Sequence, residues 1–438
     1  MRITPSFLFD KNYHIICHKN ALDNSLYEKV ATIHSLQKKI TIEKLNSYNI
    51  LKNKYTQKAI PKGSRILPYK ASKKIYEIAQ KNERKIINKP ELKEKYENKK
   101  NFRQVMKEAE IEAIPGKNIK IETFLISDYQ HRRQTIGESF VIQIPELNTG
   151  LTIFVHNKKD FFNIRKKLED KTFRKKKVKS INITKFIKGI DASILGCVTT
   201  HGIIHTSVQK QISDIPEVIN VKKGSGLFCH DRSSFTASKK TQEKAEEMVK
   251  KLGKHMKKNN YKGIFGFDVL IEEKTNKVYP VECNARMTAM PMISLIDIKN
   301  KKIPIDFFHI AEHLGIQYEI DISEVNKKLA YDRKGSHIIL NNRKDYPIEA
   351  IKDILPGIYT EENGTLIHLR EGFTYNDIKE DDEFIIINGN LSKGQVKEYT
   401  RQAKICHMLF PIAITKGKLT LRAKKIIKSF YKEYFDEE

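Results

Sequence analysis

Residues 263 to 287 read GIFGFDVLIEEKTNKVYPVECNARM, and four of them can do chemistry. Asp268 and Glu282 fall on the two arms of what reads as one hairpin, and Asn284 and Arg286 follow the glutamate at alternate positions. If Glu272 pairs with Val278 across the loop EKTNK, Asp268 lies directly opposite Glu282. Strand alternation then puts Glu282, Asn284 and Arg286 on one face. Like charges opposed across a ladder are destabilising, so the pair makes sense with something positive between its members. Arg286 is one candidate and a divalent cation the other. Two carboxylates and an amide oxygen form a hard, all-oxygen set suited to Mg²⁺, which keeps waters and takes further ligands from nucleotide phosphates. The same residues can also form an ordinary polar face turned to solvent, and the hairpin alone leaves both readings open.

Changes of hydrophobic period mark the elements that must position these groups. Upstream, SKKIYEIAQKN (72–82) sets Ile75, Ile78 and Ala79 at helical spacing. A helix is expected to start after Pro90. A second one carries Phe102, Val105, Met106 and Ala109 and is stopped by Pro115-Gly116. ETFLIS, SFVIQIP and LTIFVHN read as short strands, KKDFFNIRKKL (158–168) as a helix, and INITKFIKG, DASILGCVTT and IIHTSVQKQI as strands again. Residues 241–258 give the clearest helix, with Ala245, Met248, Val249, Leu252 and Met256 on one stripe. Beyond residue 330 the text is mostly β and closes on a basic helix, TLRAKKIIKSFYKEYF. The fold class expected is α+β (α/β) with mixed sheets.

The chain has 438 residues, too many for one compact core, and two to four domains are expected. Apolar content of 39% and charged content of 31% describe a globular chain, not a disordered one. No run approaches the roughly 20 apolar residues of a membrane span, and MRITPSFLFDKNYHIICHKN does not read as a signal peptide. Five scattered cysteines, Cys17, Cys197, Cys229, Cys283 and Cys406, never form a C-x-x-C pair. A disulfide framework and a zinc site are therefore not expected, and a reducing cytoplasm fits. Lys and Arg number 81 against 53 Asp and Glu, a net charge of +28. The lysines are spread along the whole chain. Their densest cluster, RKKKVKS (174–180), lacks the interleaved aromatics that stack on bases, so a nucleic-acid partner is not expected.

The ordered segments resemble an ATP-grasp enzyme. In that family a strand ending in an acid, a hairpin and a Glu-x-Asn-x-Arg segment follow one another, here Asp268 and Glu282-Cys283-Asn284-Ala285-Arg286. YENKKNFRQVMKEAEIEAIPG is similar to the family's helix that begins with a phosphate-binding lysine, which places Lys99 there. SFVIQIPELNTGLTIFVHNKKDF resembles the lid hairpin, and INITKFIKGIDASI the hinge whose backbone meets adenine, at Thr184, Lys185, Phe186 and Ile187. The resemblance runs from about residue 85 to 315. It implies an ATP-grasp fold with an N-terminal α/β domain (1–95), the catalytic domain (96–318, lid about 120–182) and a small β-rich cap (319–438). It also implies ATP and Mg²⁺ (or Mn²⁺) as cofactors, with Asp268, Glu282 and Asn284 holding the metal and Arg286 near the transferring phosphoryl group. The partners implied are a small-molecule carboxylate and an amine; no membrane is involved, and a homodimer is in keeping with the family. Two positions depart from the pattern. Gln143 stands where most members have a second phosphate lysine, and the lid loop PELNTGLT has only Gly150. A neutral amide supplies no charge, so this lid neutralises less of a triphosphate.

The implied activity is an ADP-forming ligation, in which a carboxylate is phosphorylated to an acyl phosphate and coupled to an amine. Two alternatives stay open: a bicarbonate-using enzyme like biotin carboxylase or carbamoyl-phosphate synthase, and a basic nucleic-acid-binding or regulatory protein on a decayed scaffold. AMPM (289–292) has Pro291 where a biotin carrier has its lysine, so its methionines are expected to be packing residues. Cys283 is expected to point to the other side of its strand as a small core residue. His201, His205 and His230 form no metal spacing. GLFCHDRSSF (226–235) is a candidate substrate-side loop.

Overall fold

Sheets of four, five and six strands hold most of the strand residues, and helices pack onto them. A computed structural model describes residues 13–17, 28–29, 31–36, 46–68, 71–145, 152–173, 176–220, 230–231, 237–288, 291–331, 333–387, 391–399, 403–416 and 418–437. Gly150 of the lid loop and most of the loop 226–235 lie outside the described residues.

Near the N-terminus, β1 (His14–Cys17) and β2 (Thr32–Ser35) pair in parallel. Helix α1 (Lys73–Lys81) is capped by Ser72, whose hydroxyl accepts from the Ile75 N–H. α2 (Pro90–Glu97) starts on its proline, which has no N–H to leave unpaired in the first turn. Asn98 caps α3 (Lys99–Glu108) by accepting from the Lys100 N–H. The expected run to Pro115 is not reached. Glu110 takes a left-handed backbone (φ 56°), which ends the helix within one turn of Glu108.

Next come β3 (Gly116–Lys120), β4 (Phe140–Gln143), β5 (Thr152–Val155), α4 (Lys158–Lys167) and β6 (Ser180–Lys185). They form an antiparallel sheet in the order β3-β6-β4-β5, packed through Phe140, Ile142, Phe161, Ile181 and Ile183. ETFLIS corrects a strand expectation. Residues Ile121–Leu125 are helical, because Ile121 and Phe124 are both buried and only a helix turns residues three apart to one side.

The central sheet has the order β8-β7-β10-β11, all antiparallel, with β9 also on β7. Its strands are β7 (Gly189–Val198), β8 (Ile203–His205), β9 (Gln209–Lys210), β10 (Gly263–Glu272) and β11 (Val278–Asn284). Helix α5 (Lys239–Lys258) covers one face. Its Ala245, Met248, Val249, Leu252 and Met256 meet Ile194, Ile203, Phe265 and Phe267. The other face buries Leu195, Cys197 and Ile264 against Ile305 and Phe308 of α6 (Ile305–Leu314), with α7 (Ile322–Leu329) beside it.

Five strands make the body of the last sheet: β12 (Ser336–Asn341), β13 (Gly357–Glu362), β14 (Thr365–Arg370), β15 (Phe384–Ile387) and β16 (Lys404–Phe410). They run in the order β12-β16-β15-β13-β14, with the short strand His230–Asp231 on the outer edge of β12. Helix α8 (Leu421–Phe435) lays Ile426, Ile427, Phe430 and Tyr431 onto it, against Ile338, Phe384 and Met408. Among the described residues the mostly β C-terminal text thus forms one large sheet, two short two-stranded ladders and one closing α-helix.

Candidate active site

Strands β10 and β11 set Asp268 directly opposite Glu282, and Gly266 opposite Asn284. The uniform register expected from the sequence does not hold along the hairpin. Ile271 faces Val278, one residue tighter, because the Glu272 N–H closes the loop on the Lys277 carbonyl (2.9 Å). A bulge between Asp268 and Val269 absorbs the difference and returns the two acids to opposition. On the other side of β10, Ser193 of β7 pairs with Asp268.

A continuous polar chain runs from the acids to the helices α2 and α3. Gln211 Nε2 donates to Asp268 Oδ1 (3.0 Å), and Asn284 Nδ2 donates to Asp268 Oδ2 (3.1 Å). Asn284 Oδ1 accepts in turn from an Arg286 guanidinium nitrogen (2.6 Å), and Arg286 Nε lies 3.2 Å from Glu97 Oε1 at the end of α2. Lys99, the first residue of α3, sits 3.8 Å from Glu282 Oε2. The Lys99 side chain is 15% exposed and that of Glu282 33%, so this ion pair borders solvent. Burial, then the neighbouring Glu282 charge, push the Asp268 carboxyl up to about 7, although Ser193, Gln211 and Arg286 pull it down.

Lys99, Asp268, Glu282, Asn284 and Arg286, which come from two distant stretches of sequence, thus meet in one place. Gln143 and Thr184 to Ile187 sit elsewhere, on the four-stranded sheet and the link from it to β7. Gln143 Oε1 accepts from Asn182 (3.1 Å). The Lys185 and Phe186 amides donate to the carbonyls of Pro115 (2.8 Å) and Ser139 (3.0 Å), so both N–H groups are used within the protein. The Phe186 ring packs edge-on against Phe154 and His156, Lys185 is exposed, and Ile187 is buried.

Four further residues belong to the site: Glu97, Ser193, Gln209 and Gln211. Gln209 is 1% exposed, and neither atom of its amide finds a hydrogen-bond partner. It pairs with Ser193 and so shares the face of Asp268. The alternation of glutamines in VQKQI, a polar repeat inside a strand-like run, was the available signal. Glu97 carried none, since its role depends on how α2 lies against β11.

Among the described residues no group of three or more His, Cys, Asp or Glu gathers as a metal cluster. The hard donors here are the two carboxylates with the Asn284 amide. Asp268 and Glu282 face each other across the ladder with the Asn284 amide beside them, a hard oxygen set that fits a divalent cation. Asn284 Oδ1 would share itself between that ion and Arg286. Cys283 is fully buried toward α5, and Met292 is buried in a core cluster. His201 is exposed beside Tyr318, His205 is buried, and the His230 side chain lies outside the described residues.

Residues 160–290, from α4 to just past Arg286, match a family model described as an ATP-grasp domain. No curated protein matches the chain. Among solved structures, the chain is similar to the biotin carboxylase domain of Hydrogenobacter thermophilus 2-oxoglutarate carboxylase, solved as a dimer with MgADP, ADP and bicarbonate. The TM-score is 0.62 at 13% identity, over 94% of this chain and 84% of that one. It is similar too to Campylobacter jejuni biotin carboxylase (TM-score 0.61, 14% identity, 93% and 84% covered). Phosphoribosylamine–glycine ligase of Thermotoga maritima gives a TM-score of 0.56 at 14% identity, with 98% and 92% covered. No helix among the described residues is long and apolar enough to cross a membrane.

Proposed function

From the premise that this chain carries an ATP-grasp domain and has the ATP-grasp fold, we propose that it is an ADP-forming ligase. It phosphorylates a carboxylate with ATP and couples the acyl phosphate to an amine. The observation that carries this reading is the opposition of Asp268 and Glu282 with Lys99 and Arg286 beside them.

A magnesium nucleotide, when bound, would supply the phosphoryl group and the positive charge that the opposed carboxylates lack. Asp268, Glu282 and Asn284 are the residues that hold such an ion (Mg²⁺, or Mn²⁺). Lys99 is held near the acids by Glu282 and offers its ammonium to phosphate oxygens. Arg286, steadied by Glu97 and Asn284, faces the reacting carboxylate and stabilises the charge that builds there. For this chemistry the protein contributes position and electrostatics. Thr184 to Ile187 and Gln143 line the nucleotide's adenine and phosphate sides in this reading. Gln143 lends a hydrogen bond where a cation is usual.

The likeness to a structure solved with bicarbonate favours a second reading, in which the carboxylate phosphorylated is bicarbonate itself. ADP and phosphate release, measured with pooled carboxylates and amines, with and without bicarbonate, separates the two. Release that needs a carboxylate and an amine, and falls about a hundredfold in Glu282→Gln, is the result expected. Release on bicarbonate alone moves the reading to the second. Failure to bind ATP at all would end both and leave a decayed scaffold.

A further inference from the structure

A cavity of about 600 Å³ lies between α5, α7 and strand β8, away from the Asp268 cluster. Strand alternation fixes this. Ser193 pairs with Asp268, while His205 pairs with Gly196, three residues further along β7, so its side chain points to the opposite face of the sheet.

His205, at the floor of the cavity, is 1% exposed. Its Nδ1 lies 3.2 Å from the Thr206 carbonyl and donates to it in the neutral tautomer, which leaves a lone pair on Nε2. That Nε2 has no hydrogen-bond partner. Glu246 Oε2 is 3.9 Å away, beyond hydrogen-bond reach, while Glu246 Oε1 accepts from Gln242 (2.6 Å). Two acceptors thus stand side by side with no donor between them, and burial holds the imidazole below its ordinary proton affinity. At the rim the charge reverses. Lys250 and Lys254 continue the α5 stripe of Glu246 at steps of four, and Lys327 faces them from α7. All three are exposed, and none forms an ion pair with a described residue. Between floor and rim, Ile203, Ile322 and Ala330 give an apolar wall.

We infer that this cavity is a second ligand site, for a small amino acid. Its ammonium sits between His205 Nε2 and Glu246 Oε2, and its carboxylate meets the lysines. Each half of the ligand answers one half of the site. An ammonium carries three donors and meets both acceptors at once, and a carboxylate neutralises the unpaired lysines. A metal ion is opposed by three ammonium groups and an inorganic anion by the two acceptors at the floor. The volume leaves room for a side chain against the apolar wall. The inference rests on the reverse face of the sheet alone and stands whether or not the ligase reading does.

The test is isothermal titration of the full chain with each common amino acid, using acetate and methylammonium as half-ligands. At least one amino acid is expected to bind saturably. Its affinity should fall about tenfold or more in Glu246→Gln and in the double variant Lys250→Ala/Lys254→Ala, the loss of one charge-assisted contact each. It should stay unchanged in Arg286→Ala, which reports on the other face. The inference is overturned if no amino acid binds, or if acetate alone binds as tightly as the amino acid. It is also overturned if binding is lost in Arg286→Ala but kept in Glu246→Gln, which would assign the ligand to the Asp268 face. Glu246→Gln retains the side-chain shape and an acceptor for Gln242, so the fold is not at stake.

Discussion

Asp268 keeps its proton to about pH 7, whereas the unfolded chain releases it near the ordinary carboxyl value of 3.8. Between those values the folded state binds more protons than the unfolded one, so stability falls as pH rises through that window. Burial of Asp268, and then the charge of Glu282 opposite it, therefore cost the resting fold stability at neutral pH. Asp268→Asn removes the cost. After a flip of the Gln211 amide, the new side chain can still accept from Asn284 and donate to Gln211. We expect the variant to be more stable than the natural chain at pH 8, by on the order of 2 kcal/mol after allowing for the part of Asp268 that meets solvent. The gain should vanish near pH 4, and the proposed ligase activity should be lost. Denaturant titrations at the two pH values check this; an equal loss of stability at both would show that geometry outweighs charge. At this scale the sequence was informative because acid opposite acid violates a simple rule, and the violation pointed to the site. The glutamine alternation around Gln209 is a weaker signal, and Glu97, which breaks no such rule, surfaces only with the tertiary contacts.

Elements were legible where the period was long and less so where it was short. The α5 stripe and the β7 and β10 runs extend over enough residues for one period to dominate, whereas ETFLIS is too short to tell a buried turn of helix from a strand. The hairpin shows a subtler limit. Asp268 faces Glu282 as the sequence suggested, but a tighter loop and a bulge bring this about together, and neither is encoded in alternation alone. Close strand packing supplies another constraint that periodicity cannot show. Gly196 on β7 faces Phe265 on β10, and a Cβ at Gly196 would lie 2.3 Å from the Phe265 ring. Phe265 is fully buried beneath α5 and has little room to withdraw. Gly196→Ala should therefore destabilise the chain by about 1–3 kcal/mol through overpacking. Urea unfolding should show a lower midpoint with an unchanged slope. Gly196→Ala combined with Phe265→Leu should recover part of the loss, since the shorter side chain frees the space.

At the scale of the molecule, distant stretches meet around one buried ion pair. Asp297 lies on the helix Pro291–Lys299, just beyond the Arg286 segment, and Arg333 immediately precedes the last sheet. Arg333 grips Asp297 with two hydrogen bonds (2.9 and 3.1 Å), at 2% and 0% side-chain exposure. Tyr331 donates to the same carboxylate (2.7 Å), and Arg333 also donates to Ser207 at the edge of the central sheet (3.1 Å). The pair therefore joins the central sheet, the helix after the site and the start of the C-terminal segment. Composition could not reveal this. A net charge of +28 on a lysine-rich chain says nothing of which two charges go inside. Burial raises the Asp297 carboxyl even with Arg333 against it, so desolvation outweighs pairing and the bridge owes its place to geometry more than to strength. Two substitutions should then differ sharply. Asp297→Ala leaves a buried guanidinium unpaired and is expected to cost about 3–5 kcal/mol, whereas the apolar pair Asp297→Leu/Arg333→Met should cost much less. If the double variant is the more stable of the two yet loses the proposed ligase activity, the ion pair serves to orient the segment that follows Arg286. If it is as damaged as Asp297→Ala, the hydrogen bonds to Tyr331 and Ser207 hold the junction.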